Sequence, residues 1–194
     1  MTRVDTAPAP GPADWPDLTA EADAYRHVGT AGTFLNERET LVQAVTELGG
    51  GYWVLTPLRS DAGFTVLINR GFVPLEQADP ATRPGSEPSG HVALTGLLRV
   101  TEPGGAFLRS NDPASDRWFS RDVAAIAGAR GLADVAPYFI DADADPDRRA
   151  LPVGGLTVIA FRNSHLVYAI TWFGLALLSL AGLVLLLRDE RSSS

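Results

Sequence analysis

The clearest break in the hydrophobic and polar patterning lies near the C-terminal end, where Leu166 to Leu187 hold no charged residue. At roughly 1.5 Å rise per residue, about 22 such positions span about 33 Å, against a hydrocarbon core of roughly 30 Å. The pattern therefore predicts a transmembrane helix over 163–187 and a short tail over 188–194. Arg188 and Arg191 close the run on one side. Tyr168 and Trp172 sit near its other end, where amphipathic rings favour the headgroup layer.

Upstream, short apolar runs alternate with turn residues. Residues 25–35 (YRHVGTAGTFL) read as a Gly-interrupted strand, and 37–48 (ERETLVQAVTEL) as its extension or a short helix. GGGYWVLTPL and FTVLINRGFVP are two β-rich runs separated by RSDAG, whose Asp and Gly suit a hairpin. PLEQADPATRPGSEPSG is a loop by composition, and VALTGLLRV is another strand. RDVAAIAGAR, over 121–130, has good helix formers with Val123, Ile126 and Ala127 on one face, and Gly131 stands where a C-cap belongs. PYFIDA and LTVIAFRN complete a domain over 21–162. The predicted fold class is α+β, β-rich, antiparallel and barrel-like, followed by one C-terminal transmembrane helix. Residues 1–20, with APAPGPADWP, read as a flexible Pro/Ala-rich linker, and they lack the charged-then-apolar pattern of a signal peptide.

Composition narrows the chemistry. The formal net charge is −7, and the four charged residues of the tail cancel, so the excess belongs to the soluble part. This argues against nucleic acid as a partner, because that interface needs a basic surface. Without cysteine there is no disulfide, iron–sulfur cluster, thiolate nucleophile or covalent c-type haem. The sole Met is the first residue, which disfavours copper(I). All 16 basic residues are Arg, a feature that codon bias in a GC-rich genome accounts for. Asp141 to Asp147 (DADADPD) resembles a calcium loop in spacing but has Pro146 and Pro152 where the Gly and Glu belong, and reads as a solvated loop. GGG at 49–51 reads as a turn, since no G-K-[ST] follows. Three scattered histidines, His27, His91 and His165, build no Ser-His-Asp arrangement.

His165 stands apart by position. At about 100° per residue, His165, Ala169, Trp172, Ala176 and Ser179 share one helical stripe, with small side chains beneath the imidazole. Such a stripe admits a neighbouring helix, and it equally admits a flat apolar cofactor whose metal the imidazole ligates.

Four segments, in order and spacing, carry a resemblance: GYWVLTPLRSDAGFTVLINRGFVP, GLLRVTEPGGAFLRSNDPASDRWFSRDVAAIA, VAPYFIDADA and RNSHLVYAITWFGLA. Together they resemble the surfeit locus protein 1 family of cytochrome c oxidase assembly factors. The resemblance implies a bacterial protein of the cell (inner) membrane with its main domain on the extracytoplasmic side and its tail in the cytoplasm. It also implies a non-enzymatic role in assisting haem a binding or insertion into oxidase subunit I, alongside the haem a synthesis machinery. The alternative is a scaffold that steadies subunit I without touching haem. The family motif around the proposed haem-ligating histidine falls on Asn163, His165, Leu166, Tyr168, Ala169, Thr171, Trp172 and Phe173, which makes His165 the haem a ligand candidate and Tyr168 and Trp172 its contacts. Arg70, within Asn69-Arg70-Gly71, is a candidate for a haem propionate or a partner carboxylate. The family's N-R-G-W-V-P reads Asn69 to Pro74 here, with Phe72 in place of Trp. Members normally carry a span before the domain, so the reading frame is expected to continue upstream of Met1 with another apolar run.

Overall fold

The computed structural model describes residues 6–106, 108–144, 151–156 and 171–180. The chain divides into two units, Met1–Thr157 and Val158–Ser194. In the first, the described strands are β1 (Ala7–Pro8), β2 (His27–Phe34), β3 (Thr40–Thr46), β4 (Gly49–Ser60), β5 (Thr65–Pro74), β6 (His91–Val100), β7 (Gly105–Ala106), β8 (Arg109–Ser110) and β9 (Val135–Ala142). Two short helices, α1 (Ala20–Asp23) and α2 (Val123–Arg130), accompany them. Strands run in the order β2-β6-β9-β5-β4, and β4 returns to β2 through Gly32↔Ser60 to Phe34↔Leu58, which closes a five-stranded barrel. Closure depends on Gly32, because a Cβ there would strike the Arg59 carbonyl across the seam.

The expected β-rich barrel is present, with one correction to its antiparallel reading. β9 pairs antiparallel with β6 but parallel with β5, since the chain comes back through α2 before entering the sheet between them. The β4–β5 hairpin forms as the RSDAG signal predicts, with Arg59↔Thr65 nearest its turn. Residues 37–48 neither extend β2 nor form an α-helix. After a 3₁₀ turn at Asn36–Arg38 they become β3, whose β-branched Thr40, Val42, Val45 and Thr46 favour a strand and which folds back on β4 up to Thr46↔Gly49.

Alternation along the strands divides the core in two. Val66 and Ile68 of β5, Tyr138 and Ile140 of β9, Val28, Leu58 and Leu98 fill the barrel interior. Leu67 and Phe139, one residue out of phase, face the other way and pack with Val42, Leu55, Trp118 and the α2 residues Val123 and Ile126. Asp122 caps α2 by accepting from Ala125 N at 3.0 Å, and Gly131 ends it at φ 60°.

From Thr6 onward, the Pro/Ala-rich stretch read as a linker lies along the barrel as a strap. Ala7 and Pro8 pair with Val28 and Gly29 of β2. Trp15 meets Phe64 edge-on with ring centroids 5.6 Å apart. The Pro10 carbonyl accepts from Trp15 Nε1 at 3.1 Å and from the Tyr138 hydroxyl at 2.7 Å. Burial pushes that hydroxyl well above the usual phenol range, which keeps it a donor.

Of the second unit, residues 171–180 are helical and all exposed. Ten residues make about 15 Å of helix. Among the described residues no helix is long and apolar enough to cross a membrane. Most of the run LTVIAFRN lies outside the described residues.

Candidate functional site

Arg70 follows Ile68 on the interior face of β5, one step nearer the barrel mouth. The turn after it is set by Asn69 and Gly71. Asn69 Oδ1 accepts from Gly71 N at 3.2 Å, and Gly71 takes φ 129° where a Cβ would collide with the Val153 carbonyl. Phe72 and Val153 exchange backbone hydrogen bonds of 3.0 and 2.8 Å, so the 151–156 segment is stitched beside Arg70. The Arg70 side chain is 9% exposed. Its guanidinium stands 5.5 Å over the Phe34 ring, and its Nη2 donates to the Ser86 carbonyl.

Arg70 shares its nearest carboxylate with a second arginine. Glu39 Oε2 lies 3.8 Å from Arg70 Nη1, too far for a hydrogen bond, and Nη1 is buried without a hydrogen-bond partner. Both Glu39 oxygens are instead engaged by Arg83, through Nη2 and through Nη1 at 3.4 Å. Burial lowers the Arg70 pKa to about 10, partly offset by the carboxylates of Glu39 and Glu87 and reinforced by the charge of Arg83. A cavity of about 550 Å³ opens beside it at the barrel mouth, lined by Phe34, Ile68, Val92, Leu94, Ala142 and Pro152 among others. A second cavity of about 530 Å³ lies on the outer face of β3 and β4, between Glu37, Glu39, Tyr52, Trp118 and Arg130.

The reading of Asp141 as part of a solvated loop is corrected. It ends β9 buried, accepting from Asn69 Nδ2 at 2.7 Å, Arg99 Nη1 at 2.7 Å and Arg121 Nη1 at 3.3 Å. Arg121 also reaches Glu102 at 2.6 Å, and its guanidinium stacks 4.7 Å over Phe139. Asp143 is exposed and paired with His27 at 2.7 Å, while Asp145 and Asp147 lie outside the described residues. This network was not visible in composition, because its arginines come from distant segments. Arg83 was equally hidden in a loop that reads as mere spacer.

His165 and Tyr168 lie outside the described residues. Trp172 is in the helical stretch 171–180 and 69% exposed, with Ala176 a turn further on. Arg70 belongs to the first unit and Trp172 to the second. Among the described residues no cluster of three or more His, Cys, Asp and Glu could hold a metal ion.

A closed mixed barrel with a buried arginine at its mouth, followed in sequence by an uncharged apolar run, defines a small β-barrel domain with an apolar C-terminal extension. The SURF1 family model matches residues 1–177, and the chain belongs to that family. It is 37% identical over 190 residues to surfeit locus protein 1 of Rattus norvegicus, covering 90% of this chain and 60% of the rat protein. It is likewise 37% identical over 192 residues to surfeit locus protein 1 of Homo sapiens, covering 90% of this chain and 62% of the human one. A SURF1-like protein of Monosiga brevicollis is 38% identical over 183 residues, with 88% of this chain and 69% of that protein covered. The chain thus spans about three fifths of the length of its rat and human relatives.

Proposed function

We propose that this protein is a cytochrome c oxidase biogenesis factor that assists haem a binding or insertion into oxidase subunit I. In this reading the C-terminal apolar run anchors it in the cell membrane, and the barrel works on the extracytoplasmic side beside the haem a synthesis machinery. It acts as a carrier or chaperone, not as a catalyst. The observation that carries the proposal is family membership across residues 1–177 together with an intact Asn163-Ser164-His165-Leu166 to Trp172-Phe173 motif.

Haem a is cargo here, and what it requires can be compared with the residues present. A flat ring needs an exposed aromatic or small-residue face, which Trp172 and Ala176 supply on 171–180. Arg70, in the first unit, is taken in this reading as a cation for a propionate or a partner carboxylate. His165 would offer an imidazole nitrogen to the iron, with Tyr168 and Trp172 against the ring. The test is an absorbance spectrum of the full chain purified from a host that makes haem a. A Soret band that vanishes or shifts in His165→Ala is the expected result, and an unchanged band in that variant removes His165 as the ligand.

A second reading, a scaffold that holds subunit I without touching haem, is favoured by the exposure of apolar side chains on the barrel domain, Val45 at 89% and Leu108 at 88%. Normal oxidase assembly by a chain that never shows a Soret band would select it.

A further inference from the structure

One end of the sheet presents apolar side chains to solvent. Val45 is 89% exposed, Leu48 and Leu75 are each 56% exposed, and Leu108 is 88% exposed. They come from three separate turns: Val45 and Leu48 from the β3–β4 hairpin, Leu75 from the 3₁₀ turn after β5, and Leu108 from the β7–β8 hairpin. Pairing brings the first two together, since Thr46↔Gly49 closes the hairpin and Gly51↔Pro74 sets the end of β5 beside it. Val45, Leu75, Ala106 and Arg109 line one hollow of about 440 Å³, which places the β7–β8 tip at the same end. The floor between them is bare, because a Cβ on Gly50, opposite Val45, would meet nothing within 4 Å. Leu108 is also strained: it takes φ 60°, a left-handed conformation that a leucine resists. Strain at an exposed apolar tip points to a use outside the domain.

We infer that this end of the barrel domain docks on the lipid bilayer, with Leu48, Leu75 and Leu108 entering the acyl boundary. The inference rests on the membrane anchoring proposed above. Phe72, just before Leu75 in sequence, is bonded to Val153, and from Leu156 to Leu166 the chain reaches at most about 35 Å. This end of the domain is therefore tethered within reach of any bilayer that holds the apolar run. The chemistry of the tips fits lipid better than protein. Protein hot spots favour Trp, Tyr and Arg packed into complementary pockets, whereas leucine and valine on separate turns suit a partner that flows around them. Charge is not the attraction. Glu47 and Glu76 are exposed next to Leu48 and Leu75. Arg109, the one charged residue lining the hollow, donates to Gln43 Oε1 at 2.7 Å and lies 5.4 Å over the Phe119 ring. Docking should therefore need no anionic lipid and should resist salt.

The chain has no cysteine, so a single labelling site can be introduced at each position of interest. Leu108→Cys, Leu75→Cys and, beyond the opposite end of β4, Ala62→Cys each receive an environment-sensitive fluorophore. The full chain is reconstituted one copy per nanodisc of phosphatidylcholine. Lipid spin-labelled along its acyl chains should quench the probes at 108 and 75 roughly threefold more than the probe at 62, with no change on adding salt or phosphatidylserine. Leu108→Gly, which suits φ 60° and so keeps the hairpin, should cut quenching at the Leu75 site by about half. A further probe, Ala176→Cys, separates this inference from the anchoring on which it rests. Quenching at the Ala176 site with none at 108 and 75 overturns docking and leaves the anchor standing, while no quenching at any site removes both. Probes at 108 and 75 that stay open to iodide until oxidase subunit I is added would give the tips to a protein and likewise overturn the inference.

Discussion

Removing the Asp141 carboxylate would strand two guanidinium groups on the flank of the barrel. Arg99 and Arg121, with side chains 17% and 14% exposed, would then share Glu102 alone, at 3.6 and 2.6 Å, and Asn69 would lose its acceptor. Breaking a buried pair from one side typically costs about 3–5 kcal/mol, so Asp141→Ala should lower stability by about 3 kcal/mol, measured as a shift in the denaturant midpoint followed by tryptophan fluorescence. A midpoint within error of the parent would show that the network contributes nothing net. Gly71→Ala acts by a different route. At φ 129°, with the Val153 carbonyl where a Cβ would go, the variant should lose about 2 kcal/mol or more and free the 151–156 segment, seen as faster amide exchange at Val153. Sequence reading reached Asn69-Arg70-Gly71 through the family resemblance, whose N-R-G-W-V-P falls on Asn69 to Pro74. It missed Asp141 because the residue's surroundings in sequence are acidic, while its partners Arg99 and Arg121 stand 42 and 20 positions away.

Elements were legible where local chemistry decided them. The β4–β5 hairpin, α2 with its Gly131 cap, and β6 follow from turn residues, capping and alternation, whereas Asp122, read as part of the helix, is its N-cap. β3 was ambiguous because ERETLVQAVTEL satisfies a helical period nearly as well as a strand period, and pairing with β4 settles it. The strap was illegible because Pro and Ala announce extended backbone without saying what it touches. Its attachment can be tested at one atom. Tyr138→Phe removes a donor to the Pro10 carbonyl and keeps the ring in the core. The expected cost is about 1 kcal/mol, with amide exchange faster at Ala9, which pairs with Gly29 at 2.9 Å. Unchanged exchange there would mean that Trp15 and the β1 pairing hold the strap without the hydroxyl. In the C-terminal helix the small-residue stripe makes its own prediction. Ala176→Phe, on the face of Trp172 and Ser179, should impair oxidase maturation more than Gly174→Phe, which lies on the far side of the helix. Equal effects would deny that face a special partner.

At the scale of the whole molecule, the buried members of both hydrophobic clusters lie within residues 28–140, with Ala9, Trp15, Leu18 and Ala142 packed against the first, and β4 closes the barrel on β2. Closure removes the open edges that leave a small β domain prone to misassociation. The network at Asp141 and the arginine at the mouth also belong to Met1–Thr157. A chain ending at Thr157 should therefore fold alone, unfold in one cooperative transition and keep the denaturant midpoint of the parent domain. A non-cooperative or markedly lower transition would show that the apolar run completes the core. Such a fragment also tests the haem reading. Lacking His165, it should show no Soret band from a haem-a-producing host, because the proposed iron ligand and Trp172 are gone. A Soret band kept by the fragment would place haem binding within residues 1–157 and remove His165 as the ligand.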